Sequence, residues 1–214
     1  TVLHTDWAKQ KLAELESLDM IGLSFWEAGM FDIIQSKHPV TEISEFSGLT
    51  IRVMENDIFM ATMSALGINP VPMAWSEVFT SIQNGTVDGT SNPPATIYTS
   101  SIHTIAKYFT VANMIYSPIP VIMSKFTYDT LPEDYQKLMY EAAEAASTVE
   151  YQFIDELEET AFEAFEEAGV EVTFFTEDQI AECKQLMLDK VWPQFVGSSV
   201  DQADIDAINA VAKG

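Results

Sequence analysis

Positive charge is the scarcest property of this sequence. Of its 214 residues, 10 are lysine or arginine and 33 are aspartate or glutamate, which gives a formal net charge of −23. Binding to nucleic acid requires a basic surface, and this composition cannot supply one. Anionic membranes are disfavoured for the same reason. The acidic excess is typical of proteins in a salty or extracytoplasmic setting.

Cysteine is nearly absent, and long apolar runs are missing. The single cysteine, Cys183, excludes a disulfide within the chain. No apolar run reaches the roughly 18 residues that a membrane-spanning helix needs. The chain begins at Thr1 with neither a signal peptide nor an initiator methionine, so we expect a processed or truncated protein.

The common catalytic motifs are absent. The chain has no GxSxG, GxGxxG, P-loop or HExxH motif, and His4, His38 and His103 lie far apart. Cys183 lies in the acidic stretch AECKQ, which disfavours a thiolate. Residues 150–168 carry eight acidic side chains and no basic one, which we interpret as a solvated helix face. We therefore predict that the chain is not an enzyme and uses neither metal nor cofactor.

What is present is an apolar fraction of 47% arranged in alternating strand and helix patterns. Short links between these segments predict βαβ units around a largely parallel sheet. Strands are predicted at 20–25, 31–35, 49–54, 71–73, 86–88, 108–122 (as two strands with an extended crossing segment between them, broken at residues 117–118 and 120) and 170–175. Helices are predicted at 6–18, 56–66, 76–83, from 92, 132–168, 176–191 and 204–212, with Asp6, Asn56 or Asp57, Asn92 and Thr176 as N-caps.

Three different chemical groups follow or end neighbouring predicted strands. Arg52, the only arginine, lies near the carboxyl end of its strand, Trp75 just after the next strand, and Asn92 just after the third. Ligands of open α/β sheets collect at that end. A guanidinium can clamp a carboxylate with two parallel hydrogen bonds. The alternatives are an ion pair for Arg52, ordinary packing for Trp75 and a simple N-cap for Asn92.

The motifs GLTIRVMEN, PMAWSEVFTSIQNGTVDG and SNP, in this order and spacing, resemble the solute-binding subunit of TRAP transporters (tripartite ATP-independent periplasmic, DctP type). The resemblance extends from Met20 onward. It implies a periplasmic, monomeric protein that binds a small organic acid and delivers it to the membrane subunits of a transporter. By the same resemblance, Arg52 pairs with the ligand carboxylate, Asn92 bonds that carboxylate, and Trp75 packs against the ligand.

The family's fold is α/β, of the periplasmic solute-binding-protein type, with two lobes, crossing hinge strands and a long spanning helix. Compared with family members, roughly the first third of the protein is absent from this sequence, so we expect an incomplete first lobe. Residues 1–24 are predicted to be its remnant, 25–117 the second lobe, 118–157 a crossing strand and long helix of the first lobe, and 158–214 elements that pack on the second lobe.

The segment Gly29–Asp32 has no arginine where many members carry a second cation. This difference favours a ligand with one carboxylate and leaves diacids open.

Two other classes of function remain as alternatives. One is an enzyme domain that holds a substrate carboxylate with Arg52, although no suitable base stands out. The other is an interaction protein built on the long acidic helix.

Overall fold

A computed structural model describes residues 2–212 as an α/β fold, which confirms the predicted class. The strands are β1 (Met20–Gln35), β2 (Thr50–Val53), β3 (Asn69–Pro72), β4 (Gly89–Asn92), β5 (Tyr108–Ser124) and β6 (Glu171–Phe174). The helices are α1 (Asp6–Glu14), α2 (Asp57–Ala65), α3 (Trp75–Gln83), α4 (Pro94–Thr99), α5 (Lys125–Asp129), α6 (Glu133–Glu167), α7 (Glu177–Leu186), α8 (Trp192–Phe195) and α9 (Gln202–Ala212). Short 3-10 turns occupy Val2–His4, Leu15–Leu18, Ile43–Phe46 and Ile102–Thr104, and a π turn occupies Met187–Val191.

Two of the four predicted N-caps are confirmed. Asn56 accepts hydrogen bonds from the backbone of the first turn of α2, and Thr176 forms a capping box at α7. The cap predicted at Asp6 is wrong, because Asp6 is the first residue of α1 and Thr5 precedes it without a side-chain cap.

The sheet order is β3-β2-β4-β1-β5-β6. Strand β2 pairs in parallel with both β3 and β4, β5 pairs in parallel with β6, and β1 pairs antiparallel with β4. The sheet is therefore largely parallel, as predicted. Because β2, β3 and β4 run in the same direction, their carboxyl ends lie at one edge.

Strand β4 lies three residues later than predicted. The backbone N–H groups of Thr86 and Val87 donate to Ser81 O, so these residues wrap around the end of α3 instead of forming a strand. Pairing starts at Gly89, where a Cβ atom would overlap the carbonyl oxygen of Ile34. Only glycine permits β1 to approach β4 this closely.

Each of the two longest strands was predicted as a pair of strands. The structure has β1 and β5 unbroken over 16 and 17 residues. Gly29 in β1 has φ +89° and Asn113 in β5 has φ +50°, so each strand accommodates a left-handed residue without ending. Pro118 and Pro120 lie within β5 and do not interrupt it.

The chain divides into two compact units by its internal contacts. The first contains the described residues up to Ala28, Ser117–Glu156 and those from Gly197 onward, and the second contains Gly29–Tyr116 and Leu157–Val196. Three of the four boundaries fall inside β1, β5 and α6, and the fourth lies between α8 and α9.

In the first unit, residues Ile21, Leu23 and Ala143 form a small core, with Val121, Met123, Tyr128 and Met139 packed against it. Tyr151 donates from its hydroxyl to Phe25 O at 2.8 Å. Asp204 in α9 accepts from Trp7 Nε1 at 2.9 Å and pairs with Lys11 at 2.9 Å. Residues from 197 onward therefore belong with the first unit. The prediction grouped all of 158–214 with the second lobe, and of that range only the residues up to Val196 lie in the second unit.

The second unit has the larger core. Phe109 and Phe165 are fully buried at its centre, with ring centroids 5.3 Å apart in an edge-to-face arrangement. The other buried members are Ile34, Val78, Ile82, Val87, Ile97, Ile102, Ala106, Ala161 and Val170. This core packs helices α3 and α4 and the end of α6 against the sheet, which fixes the strand ends described below.

One carboxyl group is buried within this unit. Asp32 is 1% exposed, and its Oδ1 accepts from the backbone N–H groups of Ala112 and Asn113 at 2.7 and 2.8 Å. Burial raises the pKa of Asp32 to about 7, and the nearby Glu158 acts in the same direction, against the lowering effect of the two N–H donors.

We predict that Asp32→Asn makes stability less dependent on pH. The folded-state pKa of Asp32 lies above that of an unfolded chain, so its contribution to stability is greatest below about pH 4 and is lost as the pH rises through about 7. Asparagine can accept the same two hydrogen bonds without ionising. Urea unfolding should show the variant about 1–3 kcal/mol more stable than wild type at pH 8 and similar to it at pH 4.5.

The control is Asp155→Asn, which removes one negative charge at an exposed position of α6. An Asp32→Asn variant that is destabilised equally at both pH values would contradict the account of Asp32.

Candidate functional site

Arg52 lies in β2, opposite Val71 of β3 and Thr90 of β4. It is 5% exposed, and its Nε and Nη2 donate to the backbone oxygen of Met73 at 3.0 and 2.8 Å. Met73 follows β3 directly and is held by its own N–H, which donates to Val53 O at 3.2 Å. One edge of the guanidinium is therefore fixed by the backbone, while Nη1 and the second proton of Nη2 remain as donors.

The charge of Arg52 has no acidic partner among residues 2–212. Every ion pair within 4.0 Å in that part of the chain uses a lysine. Burial lowers the pKa of Arg52, but a guanidinium stays protonated in proteins. A buried cation that lacks an anion is unfavourable, so this position favours a negatively charged ligand. The alternative of an internal ion pair finds no support in the described residues.

Trp75 is the first residue of α3, and its ring covers one face of the Arg52 guanidinium, with 5.2 Å from Cζ to the ring centroid. This distance is typical of a cation–π contact. The residue as a whole is 41% exposed, so part of its surface remains open. Trp75 therefore holds the guanidinium in place and still offers an apolar surface.

Asn92 is the last residue of β4 and is 6% exposed. Its Oδ1 accepts a hydrogen bond from the hydroxyl of Thr90 at 2.9 Å. The prediction that Asn92 caps the next helix is wrong, because α4 begins at Pro94 and the preceding Pro93 makes no side-chain cap. The amide is thus not used to cap α4.

The structure brings two of the predicted site residues into contact and the third close by. Arg52 and Trp75 touch directly. Asn92 is linked to the Arg52 strand through Thr90, whose Oγ1 also lies 3.5 Å from Arg52 O. Met73 was not predicted, because it acts through its backbone and leaves no side-chain signal. Thr90 was not predicted either, although Thr90 and Asn92 share one face of a strand by simple alternation.

Within residues 2–212, neither the thiol nor the metal-ligating side chains form a second reactive site. Cys183 is buried, and burial raises the pKa of its thiol to about 11, which disfavours a nucleophilic thiolate. Within residues 2–212, no group of three or more His, Cys, Asp or Glu side chains is arranged to hold a metal ion. In the same residues, no helix combines the length and apolar character needed to cross a membrane.

Comparison with known proteins now decides the family. A model of bacterial extracellular solute-binding proteins, family 7 (DctP), matches residues 1–198. The chain belongs to this family. The predicted recognition is confirmed, and so is the predicted periplasmic location, because DctP proteins are periplasmic.

Among curated relatives of this DctP chain, the C4-dicarboxylate-binding periplasmic protein DctP of Rhodobacter capsulatus is 36% identical over 172 residues, which is 78% of this chain and 50% of that protein. The chain spans about half the length of the curated relatives it matches. These relatives are solute-binding proteins and not enzymes, which confirms the non-enzyme prediction and leaves the enzyme alternative unsupported.

Two solved structures show the same fold. A TRAP periplasmic solute-binding protein from a Bradyrhizobium species, in complex with α/β-D-galacturonate, has a TM-score of 0.88 at 29% identity and covers 100% of this chain and 69% of its own. The sugar acid binding protein DctPAm from Advenella mimigardefordensis, in complex with galactonate, has a TM-score of 0.88 at 28% identity. The match covers 98% of this chain and 68% of the DctPAm chain.

We predict an energetic coupling between Arg52 and Trp75. A cation–π contact at a partly desolvated site contributes about 0.5–2 kcal/mol. A double-mutant cycle with Arg52→Leu and Trp75→Leu, measured by urea unfolding, should return a coupling of that size. Trp75→Phe keeps an aromatic face and should lose less stability than Trp75→Leu. A coupling below about 0.3 kcal/mol, which is the usual deviation from additivity for independent sites, would show that the ring does not stabilise the cation.

Proposed function

We propose that this DctP protein binds a small organic acid in the periplasm through a carboxylate held by Arg52, and delivers it to the membrane subunits of a TRAP transporter. The observation that carries the proposal is the buried Arg52 guanidinium, which has a backbone carbonyl on one edge and no acidic side chain within 4.0 Å among the described residues. A ligand carboxylate supplies the missing negative charge.

The occupied edge determines how the carboxylate binds. Since Nε and one proton of Nη2 point to Met73 O, the carboxylate meets the far end of the guanidinium, at Nη1 and Nη2. Trp75 restrains the guanidinium from one face and presents its exposed ring surface to the carbon skeleton of the ligand. Asn92 adds a third hydrogen-bond donor.

The named ligands of similar proteins fit this chemistry. The Rhodobacter protein is named for C4-dicarboxylates, and the two solved structures hold galacturonate and galactonate. All three ligands carry a carboxylate, and the two sugar acids carry one each. We propose a ligand of this class, with acids of one carboxylate favoured, and a monomeric protein.

The test of function is titration calorimetry of the full-length protein with D-galacturonate, D-galactonate and succinate. At least one of these acids should bind with a dissociation constant in the micromolar range or tighter, and the sugar acids should bind better than succinate. Absence of binding by all three acids would contradict the proposal.

We predict that Arg52→Ala abolishes measurable binding at micromolar ligand. Losing one partner of a buried charge pair costs about 2–5 kcal/mol, or roughly 30- to several-thousand-fold in affinity. Arg52→Lys keeps the charge but loses the fork, so it should recover only part of the affinity. Calorimetry and thermal melting are measured on the same variants.

The control is Lys190→Ala, which removes one positive charge from an exposed position in the second unit. It should bind like wild type. If Arg52→Ala lowers the melting temperature while affinity stays within about threefold, roughly 0.7 kcal/mol, Arg52 is a structural residue and the carboxylate is held elsewhere.

A further inference from the structure

Thr90 places a hydroxyl group beside the candidate ligand amide. Thr90 is fully buried in β4, two residues before Asn92 and on the same strand face. Its Oγ1 lies 2.9 Å from Asn92 Oδ1 and 3.5 Å from the backbone oxygen of Arg52. The hydroxyl therefore lies within reach of two oxygens, one on Asn92 in its own strand and one on the backbone of β2.

The single proton of this hydroxyl determines the orientation of the amide. Both neighbours of Oγ1 are acceptors, and the separation of 2.9 Å is normal for a hydrogen bond whereas 3.5 Å is at its limit. The proton goes to Asn92 Oδ1, which leaves Nδ2 with both of its protons. No hydrogen bond from this Nδ2 is formed to any group within residues 2–212.

We infer that Thr90 is a positioning residue for the ligand: its hydroxyl fixes the Asn92 amide with the nitrogen available, so that Asn92 can only donate. This inference rests on the proposed function. With Arg52 it makes this part of the site a set of donors and no acceptor, which fits the two oxygens of a carboxylate and disfavours a ligand amide or hydroxyl donor at the same place.

The register of the sheet supports this role. Thr90 lies opposite Arg52 in the parallel pairing of β2 with β4, so the residue that orients Asn92 is held at a fixed position relative to the guanidinium. Thr90 does not reach the ligand itself. Its effect on binding passes through Asn92, since an unrestrained amide can rotate and present its oxygen to the carboxylate.

The experiment compares Thr90→Val, which keeps the shape and removes the hydroxyl, with Thr90→Ser, which keeps the hydroxyl. Calorimetry uses whichever of D-galacturonate, D-galactonate and succinate binds wild type most tightly. Thr90→Val should weaken binding about 3- to 10-fold, the usual effect of one hydrogen bond, and Thr90→Ser should stay within about twofold of wild type. Melting temperatures of both variants are recorded alongside.

A second variant tests whether the ligand needs a donor at position 92. Asn92→Asp can still accept from Thr90, but it presents an oxygen where wild type presents the amide nitrogen. It should therefore bind the acid more weakly than Asn92→Ala. If Thr90→Val does not fold, Thr90→Ala, which also removes the hydroxyl, takes its place, with the same expected weakening relative to Thr90→Ser.

The outcomes separate this inference from the proposed function. If Arg52→Ala loses binding but Thr90→Val stays within about twofold of wild type, the positioning role is wrong and the carboxylate clamp stands. The role of Thr90 is also wrong if Thr90→Val and Thr90→Ser weaken binding equally. It is wrong as well if Asn92→Asp binds the acid as tightly as Asn92→Ala or more tightly. If wild type binds none of the acids, both proposals fail.

Discussion

The interaction on which the candidate site depends is the pair of hydrogen bonds from the Arg52 guanidinium to the backbone oxygen of Met73. A buried cation is unfavourable without partners. Here the partner is a dipole and not a carboxylate, so one edge of the guanidinium is satisfied and its full charge is retained. An aspartate in place of this carbonyl would neutralise Arg52 and compete with an anionic ligand.

The parallel strands explain why these groups meet. Strands β2, β3 and β4 end at the same edge of the sheet. Arg52 is the second-to-last residue of β2, Met73 directly follows β3, and Asn92 is the last residue of β4. Met73 lies in the short link after β3 and Trp75 is the first residue of α3, so one short segment supplies both the carbonyl and the ring that contact Arg52. The antiparallel pairing of β1 with β4 fixes β4 from its other side.

Side chains with distinct chemistry were predictable from the sequence. Arg52 is unique in composition, and Trp75 and Asn92 follow or end strands whose alternation with helices was visible in the pattern. The motifs that carry these residues also identified the family. Features set by the backbone were not predictable. The Met73 carbonyl has no side-chain signal, β1 continues through Gly29 at a positive φ, and β4 starts at Gly89, where only glycine allows β1 to approach closely. The contact of α9 with Trp7 and Lys11 joins residues almost 200 positions apart, which no local pattern encodes.

A crystal structure of the full-length protein with D-galacturonate, or with D-galactonate or succinate if that acid binds more tightly, tests the central claim most directly. We expect the ligand carboxylate within hydrogen-bond distance of Arg52 Nη1 and Nη2 and of Asn92 Nδ2, with Met73 O still bound to Nε and Nη2. A carboxylate that binds away from Arg52, or an Arg52 that turns from Met73 to pair with an acidic side chain of the protein, would contradict the account.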